Sequence, residues 1–275
     1  NLKYKYKWED IKFKDFKTFD KVLNSYKKFG FVIIDNVLNK KEILNLNSIY
    51  SEISTLRKKR NLQPFISHLM PHTWDNRILD IAKTHSIVNL VERILGGKSD
   101  LLHSQITFKP PGDKGFSIHQ DNFYNRAKPI DGMTAVWLAI DDSDKKNGAL
   151  IVYPFTQKGD ILPVRKNWIY ILKKFPIFIL KKIKQFIFRN KNGYDQTSGV
   201  VEQFANTILP DGSTSLSLSV KSGGLVFMHG NLVHSSGRNS SKRRFRRNLL
   251  LNYIRKGSKF KKGFLSKRKA LDLNL

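Results

Sequence analysis

The chain has no cysteine among its 275 residues. This absence excludes disulfide bridges, zinc sites built on thiolates, iron–sulfur clusters and a thiol nucleophile. Any bound metal ion must therefore use histidine nitrogens or carboxylate oxygens, which narrows the candidate ligands to seven histidines and 22 acidic residues.

Long apolar runs are missing as well. No stretch of about 18 or more uninterrupted apolar residues occurs, so the sequence predicts no transmembrane helix. The first residues, Asn1 to Tyr4, lack the apolar region of a secretory signal. These two absences favour a cytoplasmic enzyme.

Acidic residues are scarce: the chain has 22 of them and 50 lysines and arginines, which gives a net charge of +28. A positive charge of this size is typical of proteins that bind nucleic acid, an anionic membrane surface or an acidic substrate. Lysine, asparagine and isoleucine are abundant throughout, however, which favours a general compositional bias. We therefore do not expect nucleic acid to be the partner.

With 40% hydrophobic residues, the chain is predicted to fold as a single domain, 1–275, with a full core. Residues 1–100 are expected to be mainly helical, with helices at 8–28 and 79–95 and a short buried strand at 30–35. Asn39 is positioned to cap a further helix whose apolar stripe comprises Ile43, Leu44, Leu46 and Ile49. Residues 255–275 form a basic tail, of which 255–269 are expected to be solvated.

Residues 101–254 have the pattern of short strands separated by Gly, Pro, Asn and Asp, which predicts a barrel or sandwich. The expected strands are 101–108, 134–140, 149–153, 216–220, 225–228 and 248–254. Residues 142–148 are a predicted turn, because Asn147-Gly148 is a favoured hairpin dipeptide. The fold class is thus mainly β with flanking helices (α+β).

An insert at 160–200 contains a basic amphipathic helical pattern, 168–189, interrupted by Pro176. An ordinary helix packed on the barrel is the favoured interpretation. A lid over a site and a peripheral membrane contact, which would make the protein membrane-associated, are the alternatives.

His119 and Asp121 stand two residues apart, a spacing that places both side chains on one face of an extended strand. His234 follows a strand-like run and could complete the site. Two histidines and one carboxylate on one side of a metal form the facial triad of non-haem iron(II) oxygenases. An arginine cluster at 243–247 then offers guanidinium groups suited to binding a carboxylate.

The chain resembles the phytanoyl-CoA dioxygenase family from Gly30 to about Tyr253. Six motifs occur in the family's order: "KFGFVIIDNVL", "LLHSQITFKPPGD", "IHQDNFY", "VWLAIDD", "NGALIVYP" and "LVFMHGNLVHSSGRNSS". The resemblance implies a double-stranded β-helix (jelly-roll, cupin-like) barrel. It also implies that His119, Asp121 and His234 bind the metal, whereas His229 matches a position that is not a ligand.

The family's 2-oxoglutarate-binding arginine best matches Arg246, which follows Phe245. Arg244 and Arg247 remain open, although strand alternation disfavours Arg247. Gln105, Trp137 and Ser236 match positions that line the co-substrate pocket in relatives.

The resemblance therefore implies an oxidoreductase that uses Fe(II), 2-oxoglutarate and O2. Such a dioxygenase hydroxylates an unactivated C–H bond of a small organic, lipid or acyl substrate. One departure concerns substrate access, because 153–157 replace a Pro-Gly-Ser-His sequence found in many relatives. The alternative function is a catalytically inactive basic barrel that binds nucleic acid or anionic lipid.

Overall fold

A computed structural model describes residues 7–166, 205–263 and 268–273. The predicted helix at 168–189 lies outside these residues. Within the described parts, no helix combines the length and apolar character needed to cross a bilayer.

Five α-helices and thirteen strands make up the described elements. The helices are α1 (Phe19–Phe29), α2 (Lys40–Lys59), α3 (Asn76–Ala82), α4 (His85–Leu95) and α5 (Asp121–Asn125), with short 3-10 helices at Trp8–Asp10 and Pro71–Thr73. The strands are β1 (Lys12–Phe13), β2 (Phe31–Ile34), β3 (His68–Leu69), β4 (Ser99–Thr107), β5 (Met133–Ala139), β6 (Leu150–Tyr153), β7 (Val164–Lys166), β8 (Ala205–Thr207), β9 (Leu216–Ser217), β10 (Leu225–His229), β11 (Val233–Ser236), β12 (Asn248–Arg255) and β13 (Leu271–Asp272).

Two sheets organise the fold. The large sheet has the order β1-β2-β10-β5-β12-β4-β13, with β3 also paired to β4, and the small sheet has the order β11-β6-β9. A single bridge between His119 and His234 adds one more segment to the small sheet beside β11. The arrangement confirms the jelly-roll prediction, although the described strands form these two sheets and a separate β7–β8 pair rather than a closed barrel.

The large sheet has two different faces because side chains alternate along each strand. Its outer face packs against the helices in one apolar cluster that includes Leu249, Leu251 and Ile106. Its inner face meets the small sheet in a second cluster that includes Trp137 and Val152. Further along the inner face, polar residues replace the apolar ones, and the candidate site lies there.

The predicted helix at 8–28 begins late, at Phe19. Residues before it are drawn into the sheet, because Lys12 and Phe13 pair with β2 and the Ile33 amide donates to the Ile11 carbonyl at 2.8 Å. Main-chain pairing at the sheet edge thus outweighs the local helical pattern. The predicted strand at 30–35 is confirmed as β2.

The predicted helix at 79–95 is two helices, α3 and α4, which separate at Lys83 and Thr84. The break leaves the Ala82 carbonyl free of helix pairing, and the Tyr253 hydroxyl donates to it at 2.8 Å. Asn39 caps α2 as predicted, by accepting from the Glu42 amide at 3.0 Å. Leu44 is wrongly placed in the apolar stripe, since it is 67% exposed.

The strand predictions from 101 onward are confirmed, except that 216–220 shortens to β9 with a separate bridge at Val220. The turn at 142–148 is present, with the Asn147 amide nitrogen Nδ2 donating to the Asp142 carbonyl at 2.7 Å. It is a corner rather than a hairpin, because β5 and β6 belong to different sheets. The turn therefore carries the chain from the large sheet to the small one.

Candidate functional site

His119 and His234 are held together by their own main chains. Each backbone amide donates to the other residue's carbonyl at 2.9 Å, and the two ring centroids lie 4.2 Å apart. The His119 Nδ1 atom is 2.7 Å from the Ser117 carbonyl oxygen, and the His234 Nδ1 atom is 3.1 Å from that of Leu232. Because a carbonyl only accepts, Nδ1 carries the proton in both rings and each Nε2 keeps its lone pair for a ligand.

Asp121 completes the cluster from the first residue of α5. Its Oδ1 atom lies 3.6 Å from Nε2 of His119 and 3.7 Å from Nε2 of His234. The prediction that Asp121 continues a strand is wrong. The side chains of His119 and Asp121 nevertheless point to the same side, because Gln120 is extended, with φ −113° and ψ 131°, before the helix begins.

Gln120 fixes the point at which the extended segment ends and α5 begins. Its side chain is fully buried, donates to the Asn231 carbonyl and accepts from the Leu162 amide, the latter at 2.8 Å. A buried amide with both ends bonded has a defined orientation. The segment that carries His119 and Asp121 is therefore fixed by hydrogen bonds from Gln120 to other parts of the chain.

Burial and charge set the protonation state of the cluster. Burial raises the pKa of Asp121, but the neighbouring imidazoles of His234 and His119 outweigh it and bring the pKa to about 2. Burial, assisted by His119, lowers the pKa of His234 to about 4. An ionised carboxylate with a neutral imidazole is the state that binds a metal.

The three side chains each offer one ligand atom, and these atoms lie within 4.8 Å of one another. The Oδ2 atom of Asp121 is buried and has no hydrogen-bond partner among the described residues. His229 stands outside the cluster, where its Nδ1 accepts from the Asn231 amide at 3.0 Å and its ring faces Tyr26. The three residues singled out from the sequence are thus the ones that the structure brings together.

Arg246 points into the interior and is 2% exposed. Its guanidinium donates to the Gly148 carbonyl at 3.2 Å and to the Asn248 side-chain oxygen, and it lies 5.7 Å from the Trp137 ring centroid. Arg244 and Arg247, the two alternatives from the sequence, form salt bridges with aspartates. Arg244 forms a salt bridge to Asp144 at 2.7 Å, and Arg247 forms one to Asp141 at 2.6 Å.

The other predicted pocket residues lie around the same interior. Trp137 is 4% exposed and packs beneath Arg246. The Ser236 hydroxyl oxygen accepts from the Phe116 amide at 3.0 Å, which leaves its own proton available for another acceptor. Gln105 pairs with Leu250 across β4 and β12, and both side chains line a cavity beside the metal-binding cluster.

This cavity encloses about 130 Å³. Its described lining residues are Leu69, His103, Gln105, Phe116, Ser117, His119, Asp121, Tyr124, Asn125, Leu250, Asn252 and Arg268. Sequence reasoning missed His103, Asn252 and Arg268. The first two were detectable, because His103 lies two residues before Gln105 and Asn252 two residues after Leu250, which places them on the same inner face.

Arg268 is an exception to the expected solvated extension at 255–269, in which the described lysines are exposed. Its side chain is partly buried and lines the cavity opposite the sheet. His103, also buried there, has its pKa lowered to about 3, mainly by burial and further by the charge of Arg268. The site therefore presents a neutral imidazole beside a guanidinium.

A sequence model of the family described as phytanoyl-CoA dioxygenase (PhyH) matches residues 26–248. Peroxisomal phytanoyl-CoA dioxygenase from Bos taurus is 23% identical over 238 residues, covering 78% of this chain and 63% of that protein. The Homo sapiens protein is 22% identical over 240 residues, covering 78% of this chain and 62% of its own length. The chain thus spans somewhat less than two thirds of these curated relatives.

Solved structures share the fold. EctD from S. alaskensis with 2-oxoglutarate and 5-hydroxyectoine aligns with a TM-score of 0.65 at 13% identity, covering 92% of this chain and 85% of that one. The epimerase SnoN in complex with Fe3+, alpha ketoglutarate and nogalamycin RO aligns with a TM-score of 0.64 at 14% identity, covering 90% and 87%. At these identities the likeness establishes the architecture.

Proposed function

Because the chain belongs to the phytanoyl-CoA dioxygenase family, we propose that it is an iron(II)- and 2-oxoglutarate-dependent dioxygenase that hydroxylates an unactivated C–H bond of a small molecule. One observation carries the proposal. Two imidazole Nε2 atoms and one carboxylate converge within 4.8 Å at the wall of a cavity. This donor set, on one side of an ion, is the facial triad of non-haem iron oxygenases.

The residues fit iron(II) by their chemistry. The unpartnered Oδ2 of Asp121, noted for the described residues, is a buried acceptor that a cation would satisfy. Both imidazoles have their Nδ1 atoms bonded to carbonyls, so the lone pair that binds a metal is on Nε2 in each ring. His119, Asp121 and His234 would hold the metal, which, with 2-oxoglutarate and dioxygen, supplies an oxidising power that no side chain has.

Arg246 is the residue that would bind the far carboxylate of 2-oxoglutarate. It lies on the inner face of the sheet, with Trp137 beneath it, whereas Arg244 and Arg247 pair with aspartates. A guanidinium forms two parallel hydrogen bonds to a carboxylate, which fixes both position and direction. Gln105 and Ser236 would complete this pocket.

The protein's own part in the reaction is to position and to exclude water. The two imidazoles and Asp121 are anchored to the main chain of two packed segments, so the site is formed before any ligand arrives. Such preorganisation saves the cost of arranging polar groups during the reaction. A small organic, lipid or acyl molecule would enter through the cavity lined by Tyr124 and Asn252.

The proposal is tested by adding iron(II) and 2-oxoglutarate to the metal-free protein without oxygen, and following the weak visible charge-transfer band of the chelate. We expect the band in the native protein and its loss in His119→Ala. His229→Ala is the matched control, since it removes a partly buried imidazole outside the cluster, and it should retain the band. Thermal unfolding verifies that both variants are folded.

A second arm tests the co-substrate pocket. Arg246→Ala should require at least tenfold more 2-oxoglutarate for the same band, while Arg244→Ala should match the native protein. Absence of the band in the native protein at any concentration would remove the oxygenase function and favour an inactive basic domain. Equal weakening in both arginine variants would instead reject Arg246 as the specific binding residue.

A further inference from the structure

The chain after β12 returns to the mouth of the cavity. Lys259 bridges Lys128, and the Lys261 amide donates at 2.7 Å to the carbonyl of Asn125, in the helix that also carries Asp121. Residues 271–273 are anchored independently, because β13 pairs with β4 and Leu273 is 2% exposed within the outer core. Arg268 lies between these two anchored stretches.

The backbone of Arg268 is itself tied down, since its amide donates to the Lys262 carbonyl at 2.8 Å. Its side chain reaches the cavity that His103 and Asp121 also line. One terminal nitrogen, Nη1, makes a long 3.4 Å contact with the Lys261 carbonyl. The Nε atom is buried and has no hydrogen-bond partner in the parts of the chain that the structure describes.

A partly buried guanidinium whose buried Nε has no partner among the described residues is costly, because buried charges and polar atoms in proteins are normally paired. Burial lowers the pKa of Arg268, and the nearby carboxylate of Asp121 opposes this shift. That carboxylate is already shared by two imidazoles and would be committed to the metal in the working enzyme. Arg268 then needs a different counter-charge.

Arg268 and Arg246 belong to different parts of the site. Arg268 lines the cavity beside the metal-binding cluster together with Asn252, whereas Arg246, just before β12, is not among the described lining residues. One molecule of 2-oxoglutarate bound at Arg246 would therefore leave Arg268 for a second ligand.

We propose that Arg268 binds an anionic group of the substrate, a carboxylate or a phosphate, and so makes the protein selective for small organic anions. This rests on the proposed function, because the anion is taken to belong to the molecule that is oxidised. The guanidinium supplies paired donors to either group. The remainder of the substrate would extend from Arg268 toward the metal-binding cluster, past Tyr124 and Asn252.

Calorimetry with simple probes tests the assignment. Hexanoate, hexyl phosphate and hexanol are titrated into the protein in two states: metal-free, and loaded with iron(II) and 2-oxoglutarate without oxygen. We expect at least one of the two anions to bind and hexanol to bind at least tenfold more weakly. The preferred anion identifies whether a carboxylate or a phosphate is recognised.

Arg268→Gln should raise the dissociation constant of the preferred anion at least tenfold. Lys269→Gln is the matched control, because it removes the same charge from the next residue, which is exposed, and it should change the constant less than twofold. Both variants retain β13 and Leu273, so residues 271–273 stay anchored. Equal weakening in both variants, or none in Arg268→Gln, would overturn the proposal.

The co-substrate provides a separate check. Arg268→Gln should leave the 2-oxoglutarate dependence of the charge-transfer band unchanged, and a tenfold increase would overturn the proposal by assigning Arg268 to the co-substrate. If the native protein shows no band but binds the anion through Arg268 in the metal-free state, the oxygenase function fails while the anion site stands. If the band forms and anion binding ignores Arg268, only the anion site fails.

Discussion

The two faces of β12 have different roles, since one packs in the core and the other lines the cavity. Leu249, Leu251 and Tyr253 point outward and are fully buried under the helices. The alternate residues Leu250 and Asn252 point inward and line the cavity. A single strand thus joins the part of the molecule that stabilises the fold to the part that binds ligands.

The polar groups on these faces differ in the same way. On the outer side, the Tyr253 hydroxyl donates to the Ala82 carbonyl at 2.8 Å. On the inner side, the Asn252 side-chain oxygen is buried and lacks a hydrogen-bond partner among the described residues. Folding therefore satisfies the outer face completely at this point and leaves the inner face for a ligand to complete.

Leu251→Ala should break the outer face. We expect the free energy of unfolding to fall by about 2–5 kcal/mol, because the substitution opens a cavity in a packed core. Urea unfolding measures the loss. Leu250→Ala, the neighbour on the inner face and already partly exposed, should cost clearly less, and an equal loss would contradict the distinction between the faces.

His72 should make the outer face sensitive to pH. Burial lowers the pKa of His72 to about 4, and its Nδ1 contacts the Ser104 hydroxyl at 2.6 Å. The unfolded chain, with a histidine pKa of about 6.5, takes up the proton first, so stability present above that value is lost as the pH falls. His72 should account for about 2 kcal/mol of the loss between pH 7 and pH 5.

The measurement is urea unfolding of the metal-free protein at both pH values. His72→Asn should reduce the loss by this amount. His85→Asn, which changes an exposed histidine at the start of α4, should leave the loss unaltered. A loss in His72→Asn as large as in the native protein would reject the assignment.

Asn252→Leu should stabilise the fold while it removes a polar group from the lining of the cavity. Removal of a buried, unpartnered oxygen is expected to raise the free energy of unfolding by about 1 kcal/mol. Asn248→Leu is the matched comparison on the same face, because the Asn248 oxygen accepts from Arg246 and its loss should destabilise. Urea unfolding of both variants decides, and destabilisation by Asn252→Leu would show that this oxygen is already satisfied.

Arg244→Ala should have the smallest effect. Its salt bridge to Asp144 is solvent-exposed, and such pairs contribute at most about 1 kcal/mol. Thermal unfolding should shift little, and the dependence on 2-oxoglutarate should not change. If Arg244→Ala needed much more 2-oxoglutarate than the native protein, Arg244 would belong to the binding pocket.

The sequence predicted the parts of the fold and site whose signals are local. Strand alternation, the Asn39 cap and the short spacing of His119 and Asp121 all depend on neighbours in the chain. The strand-like run before His234 and the family motifs indicated His234, and the motifs added Arg246; the structure places the first in the cluster and the second in the interior.

The parts that were missed depend on contacts between distant segments. Residues 12–13 leave the predicted helix because β2 is available as a partner. The β5–β6 turn resembles a hairpin locally, but pairing with β10 and β12 assigns β5 to the other sheet. Arg268 reaches the cavity because β13 pairs with β4 far upstream. No local pattern encodes these partners.

The reciprocal main-chain bonds between His119 and His234 also have a kinetic consequence. The two residues are far apart in sequence, so this pairing has a high contact order and forms only after a large loop is closed. The unfolded chain offers no comparable assembly of three ligands, so the ion would bind the native state almost exclusively. Its affinity then adds directly to the free energy of unfolding of the whole chain, and removal of the ion by a chelator would lower that free energy.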